Sequence, residues 1–160
     1  MSLNQDYNTP TVLNVLIERI QNLKKSGKFE DAIRAAETAV ESARRLIEDR
    51  PDQIINLVTC LELLGNLLRI CGKEMESEAV YVEALSYEGS EKIEMRQLAR
   101  IKSNLACIYD NNNLNDEAII LYNQAIDTFS SLTPSPEIEI ANIRNNLGML
   151  HKKKREFEAA

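Results

Sequence analysis

Three stretches of this chain can be laid over one another. They begin at Leu64, Leu105 and Leu147; each opens with leucine and a small residue (Gly65, Ala106, Gly148) and meets another small residue thirteen positions after the leucine (Ser77, Ala118, Ala160). In the first two, an aromatic follows four residues on and an alanine three after that: Tyr81 and Ala84, then Tyr122 and Ala125. Self-similarity at a period of roughly 20 to 50 residues fixes the architecture before any single element is assigned, because each unit must bury its apolar face on its neighbours. The chain therefore reads as a stack.

Leu64 to Leu105 spans 41 residues and Leu105 to Leu147 spans 42, while Ala39, Ala84 and Ala125 lie 45 and 41 apart. One unit carries Asn104-Leu105-Ala106, Tyr109, Asp116-Glu117-Ala118, Tyr122 and Ala125; the next carries Ala141, Asn145-Asn146-Leu147-Gly148 and Phe157-Glu158-Ala159-Ala160. This pattern resembles the tetratricopeptide repeat, and its length resembles the kinesin light chain type of that family. Relative to the usual unit of about 34 residues, the extra eight or so amount to one added turn per helix, which leaves the packing face in phase. The resemblance implies an all-α, right-handed superhelical solenoid of antiparallel helix pairs, seven helices plus the start of an eighth. It covers most of residues 11–160 as one domain, with units at about 11–50, 51–89, 90–133 and an incomplete 134–160, preceded by a tail at 1–10. The first unit fits through Gly27-Lys28-Phe29-Glu30-Asp31-Ala32, Ala36 and Ala39, but Arg19 stands where leucine belongs, as Lys102 and Arg144 stand at another position that favours a large apolar side chain.

Local signals agree with helix pairs. Apolar residues at 12, 13, 16, 17, 20 and 23 form a helical stripe broken at Ser26-Gly27, and a second helix is expected from Phe29 to Asp49. Pro51 suits the first turn of a third helix, which is apolar almost all round from Ile54 to Ile70 and so belongs in the middle of the stack. A partner helix should run from Met75 to Tyr87. Ser90 is placed to cap a helix ending near Asn111, Asn115 to cap one ending at Phe129, and Thr133-Pro134-Ser135-Pro136 to start one ending near Lys152. Lys152-Lys153-Lys154-Arg155 then falls in the next turn as a solvated basic run, and His151, at the position of Tyr109, reads as a packing residue. The paired small residues, Gly65 with Ser77, Ala106 with Ala118 and Gly148 with Ala160, mark close helix approaches where a larger side chain would overpack.

A chain of 160 residues buries about two thirds of its unfolded surface and needs no staples. Cys60, Cys71 and Cys107 have no metal-ligand spacing, and an odd count without a secretion signal favours a reducing compartment. No apolar run of membrane-spanning length is expected, so the chain reads as cytoplasmic, with no membrane partner. A net charge of −6 argues against nucleic acid, whose phosphates need a basic surface. No cofactor or metal site is expected, and with no phosphate loop and no histidine able to activate a nucleophile, the chain reads as no enzyme.

Function should then lie on the side chains that first helices of successive units present on one face. At spacings of i, i+4, i+7 and i+11, these are Arg100, Asn104, Cys107 and Asn111 in the third unit and Asn142, Asn146, Met149 and Lys153 in the fourth. The matching stripes are Thr59, Leu63, Asn66 and Ile70, then Asn14, Glu18, Gln21 and Lys25. An asparagine amide offers donor and acceptor together, as a peptide backbone requires. The family resemblance implies that Asn104 and Asn146 hold the main chain of a bound peptide and that Arg69, Arg100 and Lys153 read acidic side chains; Asn66, Asn145, Cys107, Asn111, Asn142 and Met149 complete the candidate surface. The expected function is a scaffold that binds an extended, acidic peptide. The alternative is a regulatory or self-assembly domain packing through helix ends, because the repeat breaks off at Ala160 and residues 141–151 then lack their partner. On that pattern the sequence is expected to belong to a longer array, or to have this edge covered by a neighbour or a second copy.

Overall fold

The computed structural model describes residues 12–158. Its helices are α1 (Val12–Lys25), α2 (Phe29–Asp49), α3 (Ile54–Ile70), α4 (Glu74–Leu85), α5 (Met95–Asn111), α6 (Asn115–Ser130) and α7 (Glu137–Glu158), with a 3-10 turn at Pro51–Gln53 leading into α3. Consecutive helices pack as neighbours, giving an all-α solenoid of antiparallel pairs. The tail 1–10 and the contact of Gly148 with Ala160 lie outside the described residues.

The pairs are closed by one turn used three times. Gly27, Gly72 and Asn113 take φ of 70°, 72° and 61°, and the residue after each donates its N–H five residues back: Lys28 to Leu23 at 2.9 Å, Lys73 to Leu68 at 2.9 Å and Leu114 to Tyr109 at 2.8 Å. Left-handed backbone satisfies the last carbonyls of the incoming helix and suits glycine or asparagine. Arg155 occupies the corresponding repeat position in the fourth unit. Here the expected turn is absent: α7 runs unbroken through Lys152–Arg155 to Glu158, so the basic run is helical and no eighth helix begins among the described residues. An arginine in left-handed conformation would cost about 1–2 kcal/mol, whereas lysine, arginine and glutamate propagate a helix well. His151 is consequently exposed rather than packed.

Two expected caps also move. Residues 90–93 make a turn in which Ile93 N–H donates to Ser90 O at 3.2 Å, Ile93 is buried, and α5 starts only after extended Glu94. The Ser90 hydroxyl instead accepts from Lys92 N–H at 3.4 Å. Asn115 is the first residue of α6 and Leu114 holds the capping position, because the turn bond from Leu114 N–H fixes where the helix can begin.

The core follows the repeat. Ala39, Ala84, Ala106, Ala118 and Ala125 are fully buried, as are Tyr81 and, within one per cent, Tyr122. Ser77 donates its hydroxyl to Gly65 O at 2.8 Å across the α3–α4 contact. A Cβ on Gly65 would lie 2.6 Å from the Tyr81 ring, so the glycine makes room for the aromatic. Lys102 fits its apolar position by burying its stem and setting its ammonium on Glu88. Residues 51–70 do reach the length and mean hydropathy, 1.3, of a membrane-crossing helix, contrary to expectation; 56% of that stretch is buried in the stack. An apolar helix wrapped by neighbours passes the same test as one wrapped by lipid.

Candidate functional site

Three depressions of about 440, 340 and 260 Å³ follow one another across α1, α3, α5 and α7. Gln21, Leu63 and Asn66 line both the first and the second, and Arg100 lines both the second and the third, so together they form one furrow. Apart from Glu94 and Phe129, its walls come from the first helix of each pair, because i, i+4 and i+7 positions point the same way while the opposite arc is spent on packing. Of the side chains expected to face it, Gln21, Lys25, Thr59, Leu63, Asn66, Arg100, Asn104, Asn142 and Asn146 do so.

The furrow floor is a hydrogen-bonded ladder. Asn104 Nδ2 donates to Asn66 Oδ1 at 3.0 Å, and the Tyr81 hydroxyl donates to that same oxygen at 2.9 Å. Burial pushes the Tyr81 phenol up to about 12 against the opposing charge of Arg69. One unit on, Cys107 and Asn146 occupy the positions of Asn66 and Asn104, and both interact with the hydroxyl of Tyr122, which burial also holds above its ordinary range. The same trio thus recurs with a thiol in place of an amide.

Other expected residues are engaged elsewhere. Arg100 forks onto Glu62, Nε to Oε1 at 2.8 Å and Nη2 to Oε2 at 3.2 Å, and these bonds raise its pKa above the usual arginine value. Lys153 reaches Asp110, 3.2 Å to its carbonyl and 3.4 Å to its carboxylate. Asn111 donates to Glu74 at 2.8 Å, Asn145 approaches the Met149 sulfur at 4.0 Å, and the Nε of Arg69 is buried without a partner. Two of the three cations expected to read acidic ligands are therefore already neutralised by carboxylates of the adjoining unit.

Known proteins resemble this chain in fold. The Tetratricopeptide repeat family model matches residues 99–129, which hold most of α5 and all but the last residue of α6. Among solved structures, the crystal structure of BtubC (BKLC) from P. vanneervenii matches with 32% identity and a TM-score of 0.60, over 81% of this chain and 52% of that one. The chain is a tetratricopeptide repeat protein. It spans about half the length of BtubC, and no curated protein matches significantly.

Within this tetratricopeptide stack, the buried polar residues of the furrow were not singled out from sequence. Glu62, 8% exposed, accepts from Arg100 and from Gln97 Nε2 at 3.0 Å, and Gln97 also reaches Thr59 Oγ1 at 3.2 Å. A signal was present: Glu62 is the lone acid within α3, and it precedes Arg100 by 38 residues, the same interval that separates Asn66 from Asn104.

Proposed function

We propose that the chain receives an extended peptide segment of a partner protein along the furrow. Tetratricopeptide repeats generally mediate protein–protein interaction. The observation that carries the reading is the row of amides, Gln21, Asn66, Asn104, Asn142 and Asn146, set along one continuous depression. Each can donate to a carbonyl or accept from an N–H, which matches successive backbone groups of an extended chain without demanding a particular sequence. Preference for acidic side chains falls to Lys24 and Lys25, exposed where α1 meets the furrow beside Leu63 and Leu67, since Arg100 and Lys153 serve the fold. Panning the chain against a library of random displayed peptides tests this reading. Selected peptides should shift backbone amide NMR signals of α1, α3, α5 and α7; binders that shift only other residues would overturn it.

A second reading, self-association along α7, is favoured by the exposure of Ile138, Met149 and Phe157 on that helix. Light scattering over a concentration range separates it: a strict monomer counts against it.

A further inference from the structure

We propose that the outward face of α4 is a separate docking surface, for a helix of a partner protein whose apolar stripe is flanked by lysine or arginine. The repeat supplies its own control. Met75, Ala79 and Val82 lie nine, five and two residues before Ala84; the equivalent residues are Glu30, Arg34 and Glu37 before Ala39, and Asp116, Ile120 and Asn123 before Ala125. All nine are exposed, Met75 at 83% and Val82 at 48%. Two helices of the stack thus turn charged or mostly polar residues outward at these positions, and α4 turns apolar ones.

The face has a defined shape. Positions i, i+4 and i+7 fall in one row along the helix, the ridge that a second helix accepts between its own side chains. Burial of Ser77, Tyr81 and Ala84 uses the inward side of α4, so Met75, Ala79 and Val82 are not needed for the core. Exposed apolar side chains gathered in a row mark an interaction surface in a way that isolated ones scattered over a protein do not.

Charge selects the occupant. From Glu74 to Glu91 the chain holds six glutamates and no lysine or arginine. Glu83 is taken by Arg44 at 2.6 Å, Glu88 by Lys102, and Glu74 accepts from Asn111, while exposed Glu76 sits directly beside Met75. A helix with basic flanks complements this rim. A second copy does not: pairing two such faces would oppose glutamate to glutamate in a chain that already carries −6.

The probe is a labelled amphipathic peptide of about 18 residues with a leucine stripe and lysine flanks, titrated by fluorescence anisotropy near 0.15 M salt. Saturable binding should weaken tenfold or more in Met75→Gln with Val82→Gln, a change that keeps the charge and does not lower helix propensity. Exchanging the peptide's lysines for glutamates should weaken it equally, and Glu37→Ala or Asn123→Ala should leave it unchanged. Circular dichroism checks that each variant is folded. Equal affinity for wild type and the double glutamine variant overturns the proposal, as does equal binding of the glutamate-flanked peptide. A dimer of the wild type that dissociates on Val82→Gln would place a second copy on this face and overturn it too.

Discussion

Asn104 of α5 reaches back to α3 and donates to Asn66 Oδ1 at 3.0 Å, on the oxygen that already accepts the Tyr81 hydroxyl at 2.9 Å. Asn66 is therefore the node at which two helix pairs and one aromatic core residue are joined. Asn66→Ala removes the acceptor of two donors, one of them buried, and should cost about 1–3 kcal/mol; Asn104→Ala removes one donor and should cost about 0.5–1.5 kcal/mol. Urea unfolding of the two variants gives the comparison, and equal costs would contradict the shared node.

Glycines at equivalent repeat positions should respond oppositely. A Cβ on Gly65 would meet Tyr81 at 2.6 Å, whereas one on Gly148 would meet nothing within 4 Å. Gly65→Ala should destabilise by about 1–3 kcal/mol through overpacking. Gly148→Ala should stabilise by about 0.5–1 kcal/mol because alanine loses less backbone entropy in a helix. Thermal midpoints that move the same way in both variants would refute this.

The Glu62–Arg100 pair is uneven, with side chains 10% and 43% exposed. Removing Arg100 leaves a buried carboxylate held only by Gln97, while removing Glu62 leaves a guanidinium that water can reach. Arg100→Met should thus be the costlier change, by about 1 kcal/mol or more, than Glu62→Leu. Chemical denaturation of both at neutral pH decides the order.

Alkaline pH should unfold the stack through its buried acids. Burial raises the phenol of Tyr81 from 10.0 to about 12 and the thiol of Cys60 from 9.0 to about 12, so the folded state favours their protonated forms. A raised pKa contributes stability that is fully present below the unfolded value and is lost as pH rises through the folded one. Stability should fall between about pH 9 and 12, each group adding up to about 1.4 kcal/mol per pH unit. Tyr81→Phe should lower stability at pH 8 yet fall less steeply above pH 10; an unchanged slope would exclude Tyr81 from the effect.

Sequence periodicity revealed the stack because packing positions repeat: Leu64, Gly65, Ser77, Tyr81 and Ala84 return as Leu105, Ala106, Ala118, Tyr122 and Ala125, and geometry permits few alternatives there. It also placed Asn66, Asn104, Asn142 and Asn146 on one furrow, since face membership depends only on helical phase. What it missed depends on contacts between units. Arg100 looks unoccupied in one dimension, and Glu62 claims it from 38 residues away. The fourth turn departs from expectation for a local reason: Phe157-Glu158-Ala159 copies the start of a second helix in sequence, while Arg155 lacks the left-handed freedom of Gly72.

The most direct measurement is the affinity of a library-selected peptide for the wild type and for Asn104→Ala with Asn146→Ala, by anisotropy on folded protein, with Asn123→Ala on the outer face as control. Loss of two backbone-holding amides should weaken binding tenfold or more while the control binds as the wild type does. Equal affinity of wild type and double variant would contradict a furrow that holds its ligand through asparagine.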